Sequence, residues 1–592
     1  MKKKFLLALM LFLMFACFGQ VAGDVFDPFY EDLTDWENVG LINDAPNMRP
    51  LPLQEVKRIL EIVKEIGNER DRRVATEHYN RFFGRMFHFG AAADLDVGFF
   101  KNSKRRSLNI SPLLDFNLLK GEYFSVSSRA LLHLVNKLPD EEPLPRFTFS
   151  KRNIVDDDAK VGRIKILPAF NSGVTLGKAK YYFSANFART CFGPFYNSGI
   201  YVSSSAHNQG QFNFVLNFPK VAYMQSLLVL AGTNDDGKER GPHKFLSTHS
   251  LTVRPLSWLS FGVRDSVVFG KRFEPAYLIP ISVFMVSQGL FGFPDNCLIG
   301  MDFTIKPIDG LRLDGAIYMD DMGFNEMIKF KKKFKARMSG EFGISYTMPE
   351  KHWFKSASLD YTFVMPYTYA HIAGVTGTTR DKKELNYDNY THMGKNLGTN
   401  LNPNSDRINL RLQFEPVDSL KITLTDTFIR HANINESVDD PLFFFKYMSE
   451  NYNTSGTALN HATIQDPRRH LFLKETPFMK QKTIEYINQL SLDFSTTLPI
   501  KRSGGHMRFF LGYCFEADIN PGVNNHMFKA IPEWKDASFD ESTCEITLAD
   551  KTTKVSKTEL LNKANEQLQA WRKDARGKNF NHYLKIGASF SY

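Results

Sequence analysis

Residues 581–592, NHYLKIGASFSY, constrain the fold more tightly than any other stretch of this chain. Apolar and polar side chains alternate along it with a period of two, which is the spacing of the two faces of a β-strand. The apolar face carries Leu584, Ile586, Ala588, Phe590 and Tyr592, and the polar face carries Tyr583, Lys585, Gly587, Ser589 and Ser591. Such a strand contacts an apolar medium on one side and a polar medium on the other.

The same alternation recurs along most of the chain, which predicts a sheet of many strands. Segments of this type are 87–100, 123–135, 181–189, 249–261, 298–306, 311–318, 358–364, 408–414, 420–428, 490–497 and 507–515. A sheet in a membrane must close on itself, and at about 25–30 residues per strand and loop there is room for roughly 16–20 strands. We therefore predict an all-β protein, a transmembrane antiparallel outer-membrane β-barrel of about 16–18 strands.

The final strand also resembles the C-terminal signal that outer-membrane barrels present to the barrel assembly machinery. Such signals place apolar side chains on one face and end on an aromatic residue, here Ile586, Phe590 and Tyr592. We expect these three residues to form a barrel-assembly signal. We also expect outer-membrane lipid to contact the apolar faces of the strands.

The N-terminus has the features of a secretory signal peptide. Three lysines at positions 2–4 precede the apolar run Phe5–Ala16, and small residues at 21–23 suit cleavage before Asp24. The apolar run is too short to cross a bilayer as a helix. We expect residues 1–23 to be removed and the mature chain to lie in the cell outer membrane, with lipidation at Cys17 as the less favoured alternative.

The composition agrees with a barrel and argues against nucleic acid as a partner. Aromatic residues make up 14% of the chain, and such residues line both membrane interfaces of barrels. The formal charge of +10 falls to +7 once the three signal-peptide lysines are removed. This balance suits an anionic ligand but is too small to favour nucleic acid. The later cysteines match no zinc or redox motif, and pairing of Cys514 with Cys544 stays open.

Some regions depart from the strand pattern. Residues 53–66 and 69–83 carry apolar side chains at helical spacing but are too polar to span lipid. We expect residues 24–86 to form a periplasmic helical segment at the mouth of a barrel that covers 87–592. The uncharged stretch Ala276–Phe293 predicts a strand and an apolar loop, with one helical span as the alternative. Long polar insertions predict extracellular loops at 369–406, 430–482 and 519–577.

No motif for catalysis stands out. The metalloprotease, nucleophile-elbow, dinucleotide and phosphate-loop patterns are absent from the sequence. The pair Asp320-Asp321 at a strand end suits Ca²⁺ or a substrate, although solvated turn carboxylates are commoner. We therefore predict no enzyme, no cofactor and no metal, while a Ser/His/Asp set assembled across strands stays open.

Aromatic and amide side chains recur in the loop-like stretches, as at Tyr196-Asn197 and from Tyr387 to Tyr390. Aromatic rings offer flat surfaces for stacking, and amides and carboxylates bond hydroxyl groups. This is the chemistry of sugar binding, although ordinary barrel girdles and loops have the same composition.

Several stretches, in order along the chain, resemble the capsule-assembly outer-membrane barrels of Wzi type. They are 33–60 before the first helix, 189–206 (RTCFGPFYNSGIYVSSSA), 249–271 with its Arg254-Pro255 turn, 296–321 ending LDGAIYMDD, and 390–410. The chain departs from the family pattern at Phe192, where the family has a tryptophan, and in the length of its last two insertions.

The resemblance implies a barrel of about 18 strands, occluded by loops and helices. It also implies that the protein binds surface polysaccharide and supports its attachment or assembly at the cell surface. The candidate glycan contacts are Arg189, Tyr196, Asn197, Asp320, Asp321, Tyr387 and Tyr390. The alternative function is an outer-membrane transport channel, because a barrel of this size can hold an aqueous lumen.

Overall fold

The computed structural model describes residues 24–153, 159–195, 199–234, 237, 239–290, 292, 294–322, 336–371, 376–378, 384–450, 478–500 and 505–592. Within these ranges eighteen antiparallel strands form a closed wall. The predicted barrel is confirmed, with a strand number at the upper end of the expected range. The predicted signal peptide lies outside the described residues.

Each wall strand pairs with the strands before and after it in the chain, and the last pairs with the first, as at Phe590 opposite Ala91. Closure leaves the wall without an unpaired edge, which a sheet in lipid requires. The strands are β1 Phe87–Phe100, β2 Ser103–Lys120, β3 Phe124–Val135, β4 Ile164–Lys178, β5 Tyr181–Ala188, β6 Gln209–Asn217, β7 Val221–Thr233, β8 Arg240–Leu256, β9 Leu259–Gly270, β10 Asn296–Ile308, β11 Leu311–Met322, β12 Ala336–Thr347, β13 Phe354–Val364, β14 Ser405–Val417, β15 Leu420–His431, β16 Glu485–Ile500, β17 Gly505–Ile519 and β18 Lys578–Ser591.

The two ends of the wall differ in the length of their connections. At the end that holds Tyr592, the turns are short, for example 121–123, 218–220 and 309–310. We call this the short-turn end. Most connections at the other end, the long-loop end, are long: 136–163, 189–208, 271–295, 365–404, 432–484 and 520–577.

The two faces predicted for the final strand are confirmed. Ile586 faces outward and is 46% exposed, whereas Tyr583 faces the lumen and its hydroxyl donates to Glu516 at 2.9 Å. Outward-facing residues of other strands, such as Phe261 and Val263, are also apolar and exposed. An apolar outer band of this kind suits contact with lipid. No helix in the described part of the chain is long and apolar enough to cross a membrane.

Three helices precede the wall, namely α1 Pro28–Asn38, α2 Leu53–Ile66 and α3 Glu69–Phe83. The latter two have the bounds predicted from their periodicity, and α1 was not predicted. Asp27 caps α1 by accepting a hydrogen bond from the Phe29 amide at 3.0 Å. The apolar faces of all three helices pack on one another around a core that includes Phe29, Trp36, Ile59 and Phe82.

This helical plug, residues 24–86, closes much of the short-turn end of the lumen through ionic contacts. Lys355 of β13 is only 2% exposed at its side chain, and its ammonium lies 2.8 Å from Asp35 and 3.4 Å from Asp32. The strand Met48–Arg49 pairs with Cys191–Phe192, which belongs to a loop from the opposite end. The plug is therefore joined both to the wall and to the long loop 189–208.

Residues from the last two long loops form a separate cap at the long-loop end. It contains α5 Pro441–Glu450, α6 Lys557–Ala575 and a sheet of Ser538–Asp540, Glu545–Thr547 and Lys554–Val555. Phe443, Val523 and Trp571 lie in its buried core. Ser556 caps α6 by accepting a hydrogen bond from the Glu559 amide at 3.3 Å. Shorter strands elsewhere are Ala159–Val161, Thr376–Thr378, Glu384–Asn386, Thr391–His392 and Lys395–Asn396.

Two sequence predictions are wrong. The segment 249–261 is not one strand, because the turn at 257–258 divides β8 from β9 while apolar residues continue across it. The stretch 276–293 contains no strand among its described residues. Instead it forms the 3-10 turn Pro275–Leu278 and the short helix α4 Phe284–Gly289. Cys514 and Cys544, whose pairing the sequence left open, are both free.

We predict that docking of the plug weakens in acid through Glu31. Burial acts to raise the pKa of Glu31, but Lys421 and Arg411 of the wall lower it from its ordinary 4.5 to about 2. Because the folded pKa is depressed, this contribution to docking is present above pH 4.5 and is lost as the pH falls towards 2.

Hydrogen–deuterium exchange of residues 24–86 in the refolded protein measures this effect. At pH 7, Glu31→Gln should make the plug exchange faster than in the wild-type protein, since the wall cations lose their partner. Near pH 2 the difference should shrink, because the wild-type carboxyl is then partly protonated as well. A difference of the same size at both pH values would contradict the prediction.

Candidate functional site

Two of the long loops fold back into the lumen and meet there. The described parts of 189–208 and 365–404 bring Tyr201, Tyr369 and Tyr390 together with Tyr318 of β11. The Tyr369 and Tyr390 rings stack at 5.5 Å, and Tyr201 meets Tyr318 edge-on at 5.1 Å. All four side chains are at most 1% exposed. This tyrosine cluster therefore fills its side of the lumen with protein.

The hydroxyl groups of two of these tyrosines are used by the chain itself. Tyr369 donates to the carbonyl of Ile200 at 2.6 Å, and Tyr390 donates to that of Tyr201 at 2.8 Å. Burial raises the pKa of both phenols well above its ordinary value, so they stay neutral donors. The cluster ties the two loops together and does not offer these hydroxyls to a ligand.

Arg189, a predicted glycan contact, is buried and is bonded to the chain itself. It is 2% exposed, and its guanidinium donates to the carbonyls of Ser150 at 3.0 Å, Arg152 at 2.9 Å and Ser204 at 2.8 Å. Burial lowers its pKa to about 10, so the side chain stays charged at neutral pH. Arg189 thus fastens the loop 136–163 to the loop 189–208.

Two other predicted contacts are also buried. Asp320 accepts a hydrogen bond from the backbone amide of Tyr369 at 2.8 Å, which places it beside the tyrosine cluster. The Tyr387 side chain packs against the wall at Gly232 and Gly270, where an added Cβ would lie within 2.8 Å of it. Glycine at these two positions leaves room for the tyrosine.

The remaining predicted contacts are not described by the structure. Tyr196 and Asn197 lie outside the described residues, as does the side chain of Asp321. Of the described candidates, Asp320 and Tyr390 meet at the tyrosine cluster, whereas Arg189 and Tyr387 have separate partners.

A polar cavity of about 410 Å³ opens at the long-loop end, between the first and last strands of the wall. We call it the mouth cavity. It is lined by Phe100, Lys101, Asn102, Arg105, Glu142, Pro143, Leu144, Arg146, Glu516, Asp518, Pro521, Asn579, Asn581 and Tyr583. The set combines aromatic rings, amides, carboxylates and guanidinium groups within one space.

The aromatic part of the mouth cavity comes from neighbouring strands at the barrel seam. The Phe100 and Tyr583 rings meet edge-on at 5.8 Å, and the Arg105 guanidinium lies 5.3 Å from the Phe100 centroid. Stacking on Phe100 and hydrogen bonding to Arg105 are thus available at one position. This pairing suits a ligand with both an apolar face and an anionic group.

The two carboxylates of the mouth cavity differ in their partners. Glu516 is saturated, since it accepts hydrogen bonds from Asn581 and Tyr583, each at 2.9 Å, and from the Arg146 amide at 2.7 Å. Asp518 is 2% exposed, and its Oδ1 accepts no hydrogen bond from the described residues. A buried acceptor without a donor is costly, so Asp518 favours a donor group in the cavity.

None of these cavity residues was predicted from the sequence. They come from positions as far apart as 100 and 583, and only closure of the wall brings them together. The one signal was the inward polar face of the final strand, with Asn579, Asn581 and Tyr583.

Two further cavities bordered by described residues lie deeper in the barrel. One of about 650 Å³ separates the plug from the wall at the short-turn end. Another, of about 370 Å³, lies in mid-lumen and is lined by Arg407, Arg411 and Asp360 among others. Both border strands β14, β15 and β16. Among the described residues, no group of three His, Cys, Asp or Glu side chains is placed to hold a metal ion.

No protein-family model matches the chain, and no curated protein matches it. Among solved structures, Wzi of Escherichia coli, described as an outer-membrane protein involved in group 1 capsule assembly and a carbohydrate-binding β-barrel, is 12% identical to it. The match covers 97% of this chain and 99% of Wzi, with a TM-score of 0.53. The chain has a Wzi-like fold. The resemblance seen in the sequence is confirmed at the level of the fold.

Two further solved structures also match this chain. OprD of Pseudomonas aeruginosa is 8% identical, over 85% of this chain and 95% of its own, with a TM-score of 0.37. OccAB3 of Acinetobacter baumannii is 9% identical, over 86% of this chain and 99% of its own, with a TM-score of 0.41.

We predict that Arg189→Met destabilises the barrel by about 1–3 kcal/mol, because it leaves buried carbonyl groups without a donor. Guanidinium unfolding of the refolded protein in detergent measures the loss. Arg163→Met is the matched control, because Arg163 lies exposed at a hairpin tip and should have little effect. Unchanged stability with weakened glycan binding would instead identify Arg189 as a ligand contact.

Proposed function

We propose that the protein is an outer-membrane barrel that binds surface polysaccharide at its long-loop end. There it supports attachment or assembly of the polysaccharide at the cell surface. In this orientation the short turns and the plug lie in the periplasm and the long loops lie outside the cell. The proposal involves binding alone and assigns no catalytic step to the protein.

The mouth cavity is the observation that carries this proposal. A sugar ring offers an apolar face for stacking, here on Phe100 or Tyr583, and hydroxyl groups that donate hydrogen bonds, here to Asp518 Oδ1. Arg105 and Lys101 line the same space and suit a carboxylate or another anionic group. The chemistry therefore favours an acidic polysaccharide.

The shape of the barrel agrees with binding at the surface. The tyrosine cluster and the plug fill much of the lumen, whereas the mouth cavity is a polar space that opens at the long-loop end. The Wzi-like fold adds support, because Wzi itself is described as carbohydrate-binding.

The cap provides a structured rim beside the mouth cavity. Pro521, at the start of the last long loop, lines the cavity itself. The cap is held by a hydrogen bond from Trp571 to the Asn525 carbonyl at 3.1 Å and by the Arg572–Glu436 ion pair at 2.6 Å. A polymer seated in the cavity would thus continue over the cap. Tyr196, Asn197 and Asp321 stay candidate contacts for such a chain.

We predict that Arg105→Glu lowers the affinity for an acidic polysaccharide at least tenfold. A charge-assisted hydrogen bond contributes about 1.5–3 kcal/mol, and a tenfold change corresponds to about 1.4 kcal/mol. Titration calorimetry with polysaccharide extracted from the native cells measures the change.

The matched control for this experiment is Arg106→Glu. Arg106 follows Arg105 in β2 and points to the opposite face of the wall, so the same charge change should leave binding intact. Equal losses in both variants would indicate a general charge effect, and no loss in Arg105→Glu would remove Arg105 from the site.

Transport is the second candidate function, and the two deeper cavities favour it. Both border β14 to β16, so a solute that passed through the lumen would follow these strands. The plug would have to move for a solute to pass, since Arg411 and Lys355 of the wall hold it by ion pairs.

Conductance separates the two candidates. For a binding protein we expect refolded barrels in planar bilayers to show no steady single-channel current, because the plug and the tyrosine cluster obstruct the lumen. A steady current with a preference among small solutes, in the unmodified chain, would favour transport instead.

A further inference from the structure

One long loop turns over the outside of the wall instead of the mouth. Along β9, Arg264 points into the lumen, where its guanidinium lies 4.8 Å from the Tyr201 ring, so the residues on either side point outward. The outward face therefore includes Phe261 and Val263, which are exposed, and then Val267 and Phe269, which are fully buried.

Residues 271–290, which we call the flap, bury this part of the outer wall. Tyr277 and Phe284 are both fully buried and pack with Val267, Phe269 and Leu227 of the wall. Arg272 and Tyr277 both bond Asp295, at 2.6 and 2.7 Å, which joins the start of the flap to the start of β10.

Outward-pointing polar side chains of the wall supply hydrogen bonds to the backbone of the flap. Asp265 accepts from the Phe284 amide at 2.7 Å, and the Tyr223 hydroxyl accepts from the Ile281 amide at 3.2 Å. Ser247 donates to the Tyr277 carbonyl at 2.6 Å. Irregular backbone in lipid needs such partners, because no water is present to replace them.

The free face of the flap is strongly apolar. From Pro275 to Leu290 the sequence contains no charged residue. Ile281 and Leu290 are each 82% exposed and Val286 is 68% exposed. Other exposed apolar side chains of the flap are Phe273, Ile279, Val283 and Met285.

We propose that the flap is inserted in the membrane and that its free face contacts the acyl chains of lipids. Three observations favour this occupant. The free face continues the apolar outer band of Phe261 and Val263, it carries no charge from Pro275 to Leu290, and wall side chains bond the flap backbone at three positions. In water the same face would be a large exposed apolar patch. The proposal does not depend on the polysaccharide.

Tryptophan scanning tests the proposal in the full-length protein. Val286→Trp is refolded into phosphatidylcholine vesicles. The fluorescence of the introduced tryptophan is obtained by subtracting the spectrum of the wild-type protein, which contains five native tryptophans. We expect this emission to be blue-shifted, to be mostly lost when the lipid acyl chains are brominated, and to be little quenched by acrylamide. Lys563→Trp, on the exposed side of α6, is the control and should show the reverse.

The other outcomes overturn the proposal. Quenching of Val286→Trp by acrylamide but not by brominated lipid would place the flap in water. Protection from both quenchers would mean that protein, such as a second copy of the chain, covers the flap. If Val286→Trp does not refold, Leu290→Trp reports from the same face.

Discussion

The structure depends on one constraint, that every backbone amide and carbonyl of the wall needs a partner where water is absent. Pairing of β18 with β1 meets it, and the seam continues to Tyr592, whose amide donates to the Phe89 carbonyl at 2.8 Å. Closure then gives the two faces of every strand different surroundings, with an apolar band outside and a polar lumen inside. The mouth cavity is a product of the same closure, since it lies at the seam between the first and last strands of the wall.

A closed wall of this size encloses more space than its own side chains fill, and the chain occupies this space unevenly. Aromatic packing around Tyr369 and Tyr390 fills one side, and the plug closes much of one end with charges matched to the wall, as around Lys355. The three cavities described above, all bordered by described residues, have polar side chains in their lining and none of the four clustered tyrosines. This arrangement is the physical basis for proposing that the barrel retains a ligand at its surface.

The sequence predicted what depends on local periodicity and missed what depends on closure. The final strand and the helices at 53–66 and 69–83 follow from the spacing of apolar residues. The segment 249–261 was wrongly predicted as one strand, because the pattern of apolar residues continues through the two-residue turn at 257–258. The polar residues around Tyr387 and Tyr390 predicted an exposed loop. A polar loop can nevertheless be buried when it folds into a polar lumen, and both tyrosines are buried. Arg105 and Asn579 are far apart in sequence, and no local pattern joins them.

The plug also has a mechanical consequence for the barrel. Its contacts are spread around the wall, from Ser125 of β3 through Arg254 of β8 to Arg411 of β14. Short hydrogen bonds and ion pairs to well-separated strands make the three helices a strut across the short-turn end. A wide barrel without such a strut can flatten into an ellipse under the lateral pressure of the bilayer. This one has its cross-section fixed from within, so the distance between opposite strands changes little when the membrane around it does.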